Sequence, residues 1–240
     1  MYLAEKFEKF LESVNLNAYR EKYRPIKIVE MDLPKNIQAI DLLYKIYWRE
    51  RNSRKEFLSF DDFYKEYFKK HRKEILIFQR KIGMCLKCFK KGLPARIYRT
   101  WASIITQIHA GYVAESVFGN NTVDMSAELD HNGADFQVNY KNKILNYQVK
   151  KKSFSREVRQ EKESKNKING EFVDINYEVP NFERIENPYK KNSKEFYSDY
   201  KIFKKKFLDA GYLRILKNGF VVFTRSAFGD KKKEIDGSLK

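Results

Sequence analysis

Apolar residues recur at helical spacing through the first 110 residues or so. AEKFEKFLESV, NIQAIDLLYKIYWRE, DDFYKEYFKKHRKEILIFQRKI and ARIYRTWASIITQIHAGYVAESVF all carry the pattern, which predicts a mainly helical portion over 1–110. Ser59-Phe60-Asp61-Asp62 supplies a cap for the third of these helices. Pro25, Pro34 and Pro94 are expected in connectors. Gly119-Asn-Asn-Thr then closes the helical half, and the period changes. VDMSAELD alternates polar and apolar and predicts a strand, with His-Asn-Gly as the turn after it. ADFQVNY and ILNYQVKK, joined by Lys-Asn-Lys, predict an antiparallel hairpin. EFVDINYEV predicts a further strand, and SKEFYSDYKIFKKKFLDAG a helix closed by Gly211. YLRILKNGFVVFTR predicts a hairpin, and the last dozen residues are expected to fray. The fold class is therefore α/β. A helical N-terminal portion precedes a mixed-sheet core and a basic C-terminal portion over 111–240, in one continuous globular unit.

Charge changes the picture. Lys and Arg number 49 against 32 Asp and Glu, a net charge of +17. Such an excess points to a polyanionic partner, most simply nucleic acid. The chain has no apolar run long enough to span a bilayer, so no membrane is expected. MYLAEKFEKFLESV is an amphipathic, partly acidic start without a secretory hydrophobic region, which predicts a cytoplasmic chain. Cys85 and Cys88 are the only cysteines. A structural zinc site would want four ligands, so the pair alone predicts a helix–turn junction, with a redox or metal role as the alternative.

The chemistry concentrates in Glu128-Leu-Asp130-His-Asn-Gly-Ala-Asp135-Phe-Gln-Val and in Tyr147-Gln148-Val-Lys150-Lys151. An Asp opening one strand can hold a divalent cation such as Mg²⁺, which takes oxygen ligands. A cation there polarises a phosphate and lowers the pKa of water that it binds. A Lys two residues beyond an oxygen donor shares its face of the strand. It can position or deprotonate that water and offset charge at phosphorus. Asp135 is the expected ligand. Asp130 either binds the cation or begins the turn. Gln148 is a neutral oxygen donor, so further carboxylate is needed; Glu115, flanked by Val113, Ala114, Val117 and Phe118, is the candidate and Glu128 the alternative. Lys150 shares the face of Gln148 and is the expected catalytic Lys, unless a bulge exchanges it with Lys151. This arrangement is that of the PD-(D/E)xK phosphodiesterases. Lys152, Ser155, Arg156, Arg159 and Asn166, in the basic stretch that follows, are candidates for DNA contact.

Three longer segments carry a resemblance: FEKFLESVNLNAYREKYRPIKIVEMDLP, GMCLKCFKKGLPARIYRTWASIITQIHAGYVAESVF and AELDHNGADFQVNYKNKILNYQVKKKSFSREVR. Over residues 7–160 the chain resembles the TaqI-type type II restriction endonucleases. The resemblance implies a restriction-endonuclease-like fold and a homodimer that cuts the duplex palindrome 5′-TCGA after T with Mg²⁺, leaving 5′-phosphate ends. It also implies a cognate DNA methyltransferase as a functional partner. The family's acidic residues fall on Asp130 and Asp135, and its Lys on Lys150 or Lys151. The rival readings are a DNA-binding protein without catalysis and a structure-specific repair nuclease.

Overall fold

The computed structural model describes residues 3–23, 25–26, 32–152, 168–178 and 200–238. It comprises two compact units, Leu3–Ile108 and His109–Lys240. No helix among the described residues is long and apolar enough to cross a membrane.

The first unit is helical. Its helices are α1 (Leu3–Ser13), α2 (Leu16–Tyr23), α3 (Ile40–Tyr44) running into a π turn Lys45–Arg49, α4 (Phe60–Lys81) and the first part of α5 (Leu86–Phe118). Aromatic side chains fill the interior. Phe7, Phe60, Phe63, Tyr47, Tyr67 and Trp101 are wholly buried. Buried tyrosines and tryptophans need partners for their polar ends. Trp101 Nε1 donates to Tyr47 Oη at 2.9 Å, and Tyr47 Oη donates to the Leu58 carbonyl at 2.8 Å. Ser59 caps α4 as expected, its Oγ accepting the Asp62 N–H at 3.2 Å. Pro94 lies inside α5 and not in a connector. A proline there removes one backbone hydrogen bond. The flanking Leu93, Ala95 and Ile97 are buried, so packing on both sides of Pro94 holds the helix together.

The second unit is built on a mixed four-stranded sheet in the order β1 (Val123–Asp124), β2 (Phe136–Tyr140), β3 (Lys143–Lys152), β4 (Glu171–Glu178). β1–β2 and β2–β3 are antiparallel, and β3–β4 is parallel. The expected β2–β3 hairpin forms. Its turn residues Lys141 and Asn142 have φ of 48° and 64°, the left-handed pair that a two-residue hairpin with the sheet's twist requires. β5 (Leu213–Ile215) and β6 (Val221–Phe223) make the second expected hairpin. Helical turns over 200–203 continue as a π turn, Lys204–Leu208, before Gly211 at φ 71°.

Two expectations fail here. VDMSAELD gives only the short β1; the rest winds into α6 (Ala127–His131), capped by Ser126 Oγ accepting the Leu129 N–H at 3.2 Å. Gly133, at φ 92°, therefore ends a helix instead of turning a hairpin, and the Ala134 N–H returns to the Leu129 carbonyl at 2.9 Å. The alternation was real, but the cap outweighed it. The C-terminal stretch is also not frayed. It forms α7 (Ser226–Gly237), with Phe228 and Ile235 buried seven residues apart on one face.

One face of the sheet is apolar. Phe136, Val138, Leu145 and Tyr147 are buried there. The Phe136 and Tyr147 rings stack at 5.0 Å, and Phe228 of α7 meets both edge-on. Charged clasps fix α7 from outside. Lys231 Nζ reaches Glu171 at 2.6 Å, and Asp236 accepts from Lys141, Lys232 and Tyr140 at 2.7, 2.6 and 2.9 Å. These donors, Lys141 first, hold the Asp236 carboxyl well below the usual carboxylate range.

Two predictions follow from this packing. Gly170, at φ 117°, precedes β4, and a Cβ there would sit 2.6 Å from the Ile144 carbonyl oxygen. Gly170→Ala should lower unfolding stability by ~1–3 kcal/mol from the backbone strain alone, with the clash adding to it, measured by chemical denaturation; an unchanged midpoint would refute the close approach. Asp236 ionises more readily folded than unfolded, so its clasp contributes above the ordinary value of 3.8 and is lost as pH falls through the depressed folded value. Asp236→Asn should therefore lower the thermal midpoint at neutral pH and converge on the parent in acid; a gap constant across pH would contradict the clasp.

Candidate active site

The candidate residues gather around the start of β2 and the C-terminal half of β3. The N–H of Asp135 donates to the Tyr147 carbonyl at 2.8 Å, yet it is Phe136 that pairs with Tyr147 in the ladder. Asp135 thus stands just ahead of the ladder, immediately before the first residue of β2. Asp135 is 6% exposed, and its Oδ2 accepts the Val149 N–H at 2.6 Å. Burial first, then the Asp135 charge, pushes the Tyr177 phenol up. Tyr177 pairs with Lys151 in the parallel ladder.

The even-numbered residues of β3 do other things. Asn146, wholly buried, accepts from Gln137 Nε2 at 2.8 Å and donates to the Asn169 carbonyl at 2.9 Å, which fastens the chain just before β4. Gln148 pairs in register with Asp174, and Lys150 Nζ meets Asp174 Oδ2 at 3.0 Å. Lys150 is thus engaged by Asp174, a residue that the sequence reading passed over. Its only signal was a polar position within EFVDINYEV. Nothing local says that this strand lies beside β3, parallel and in that register.

The remaining candidates separate. Asp130 lies on α6, three residues before the Gly133-Ala134 turn that leads into Asp135. Glu128, two residues earlier on α6, is exposed. Glu115 is buried, and its Oε1 accepts the Asn121 N–H at 3.1 Å across the end of α5, closing the loop there. Lys151 and Lys152 are the last two residues of β3. Ser155, Arg156, Arg159 and Asn166 lie outside the described residues.

Among the described residues, no three of His, Cys, Asp or Glu converge on a common point. Mg²⁺ does not need that many. It keeps several waters and is commonly held by one or two carboxylates together with substrate phosphate. The donors present are hard oxygens, as Mg²⁺ prefers. In addition, Gln148 Oε1 is buried without a hydrogen-bond partner, an acceptor that a cation or its water shell would satisfy. The donor set fits the ion.

A family model described as TaqI restriction endonuclease matches residues 4–235 of the chain. The type II restriction enzyme TaqI of Thermus aquaticus is 32% identical over 225 residues, covering 92% of this chain and 84% of the relative. The type II restriction enzyme TthHB8I of Thermus thermophilus is 31% identical over 229 residues, 94% of this chain and 85% of the relative. No solved structure matches the chain at a significant level.

The Lys150–Asp174 contact is about 30% exposed on both sides, so solvent screens it. A double-mutant cycle with Lys150→Met and Asp174→Asn, read by chemical denaturation, should give a coupling of roughly 0.2–1 kcal/mol. Strict additivity would show that the two side chains ignore each other.

Proposed function

The chain belongs to the TaqI restriction endonuclease family, and from that premise we propose that it cuts both strands of duplex DNA within the palindrome 5′-TCGA, using Mg²⁺ and acting as a homodimer. As a member of that family it is a type II restriction enzyme, a site-specific deoxyribonuclease. The observation that carries the site assignment is the 2.6 Å hydrogen bond from the Val149 N–H to Asp135. It seats an acidic group against the strand whose next residues are Lys150 and Lys151, the pairing that a PD-(D/E)xK core uses.

Asp135, with Asp130 across the turn, would hold Mg²⁺, and Gln148 would add a neutral oxygen. When bound, the ion supplies Lewis acidity at the phosphate and lowers the pKa of the attacking water. Lys150, which shares its face of β3 with Gln148, is the Lys assigned to charge developing at phosphorus, with Lys151 the alternative. The Asp174 carboxylate, 3.0 Å from Lys150 Nζ, orients it. Glu115 has its carboxylate against the Asn121 amide and serves the loop at the end of α5. Lys152, Ser155, Arg156, Arg159 and Asn166 are proposed contacts to DNA, the lysine and arginines with phosphates and Ser155 and Asn166 with base edges. A palindrome matches a two-fold pair of subunits, each cutting one strand, and a cognate methyltransferase would protect the host's own sites.

Purified protein mixed with plasmid should give discrete fragments with Mg²⁺ and none with EDTA, and sequencing of the ends should place every cut after T of TCGA with a 5′-phosphate. Retarded but uncut DNA would mean binding without catalysis, and cuts at DNA junctions without fixed ends would mean a repair nuclease. Asp135→Ala should cost on the order of 10³-fold or more in cleavage, the worth of several kcal/mol of metal-borne stabilisation, with DNA binding retained. Lys150→Ala should cost far more than Lys151→Ala; the reverse order would move the role to Lys151.

A further inference from the structure

The cysteine pair stands apart from the carboxylates, in the Leu3–Ile108 unit. α4 ends at Lys81, Gly83 turns the chain at φ 63°, and α5 begins at Leu86. Cys85 occupies the cap position of that long helix. Its carbonyl accepts the first helical bond, from the Phe89 N–H at 2.9 Å, and its Sγ accepts the Cys88 N–H at 3.2 Å. Both thiols are exposed.

Three features make this more than a sulfur at a helix end. The second thiol lies one turn along the same helix, and its nearness, ahead of the backbone N–H groups of Cys88 and Lys87, holds Cys85 below the ordinary thiol range. The Cys85 sulfur in turn pushes Cys88 the other way, so the two sulfurs are chemically unequal. The surroundings are cationic. Arg80, Lys81, Lys87, Lys90 and Lys91 are all exposed, and the sequence has no acidic residue between Glu74 and Glu115. An exposed thiolate at a helix start, among lysines and beside a resolving thiol, is the environment in which cysteines react.

We propose that Cys85 and Cys88 form a covalent modification site for small-molecule disulfides, with Cys85 the attacking sulfur and Cys88 the resolving one. The Cys85 thiolate attacks one sulfur of the disulfide, forms a mixed disulfide and releases a thiolate. Cys88 then attacks the Cys85 sulfur, closes the Cys85–Cys88 bond and expels the second thiolate. The protein dithiol loses two electrons, the small disulfide gains them, and the two thiol protons end on the two released thiols. The site is independent of the DNA-cleaving reading.

Oxidised glutathione is the probe, with free-thiol titration and intact mass as readouts. Wild-type protein should lose both free thiols and retain no glutathione. Cys88→Ser should trap one glutathione on Cys85. Cys85→Ser should react several-fold more slowly than Cys88→Ser, and urea should abolish that difference. Serine is a good cap, so Cys85→Ser should keep the helix start and the thermal midpoint. Two retained glutathiones on the wild type, two untouched thiols, or equal rates for the single variants would each overturn the proposal.

Discussion

The antiparallel ladder between β2 and β3 decides where Asp135, Gln148 and Lys150 stand. Its register is held by burial. Phe136, Val138, Leu145 and Tyr147 all belong to the covered face, and Phe228 of α7 closes over them. A slip of one residue would turn this whole set toward solvent. At ~25 cal/mol per Å² of apolar surface, two aromatic rings and two aliphatic side chains make such a slip cost several kcal/mol. Because the ladder cannot slip, the residue that precedes β2 is fixed beside β3, and the Asp135 carboxylate is delivered to the Val149 amide.

Asp135 and Lys150 take different partners at this strand. Asp135 joins the backbone of the odd-numbered residues of β3, while Lys150 turns to Asp174 across the parallel ladder. The parallel strand therefore does more than widen the sheet. It brings the Asp174 carboxylate to Lys150. Asn146, bonded to Gln137 and to the Asn169 carbonyl, holds β4 at the register where this happens. The Gly170 backbone, too close to Ile144 for any side chain, permits the approach.

The helical unit follows a different logic. Its core is aromatic, and its buried polar ends are tied off locally, as Trp101 to Tyr47 and Tyr47 to Leu58. Stability there rests on ring packing within a helical framework. The turn between α4 and α5 is left exposed, with two thiols and a run of lysines at the surface.

Much of this was legible in the chain, and the part that was not has a common cause. The Ser59 cap, the Lys141-Asn142 turn, β4 and the β5–β6 hairpin depend on contacts between residues close in sequence, so composition and spacing announced them. Asp130, Asp135, Gln148 and the lysine pair were singled out as candidates from the same local signals, and the charge and the family resemblance were legible there too. The fate of 126–131 was open to two local rules, alternation and capping, and the Ser126 cap prevailed. Continuation of α5 through Pro94 and the order of α7 depended on burial of Leu93, Ile97, Phe228 and Ile235 against other elements. By itself, then, the sequence determined which residue types and which hairpins the site is made from. Only tertiary structure decided which lysine faces Asp174 and which strand position Asp135 touches, because cross-strand register between distant segments is set by the packing of whole faces, and no window of neighbouring residues contains it.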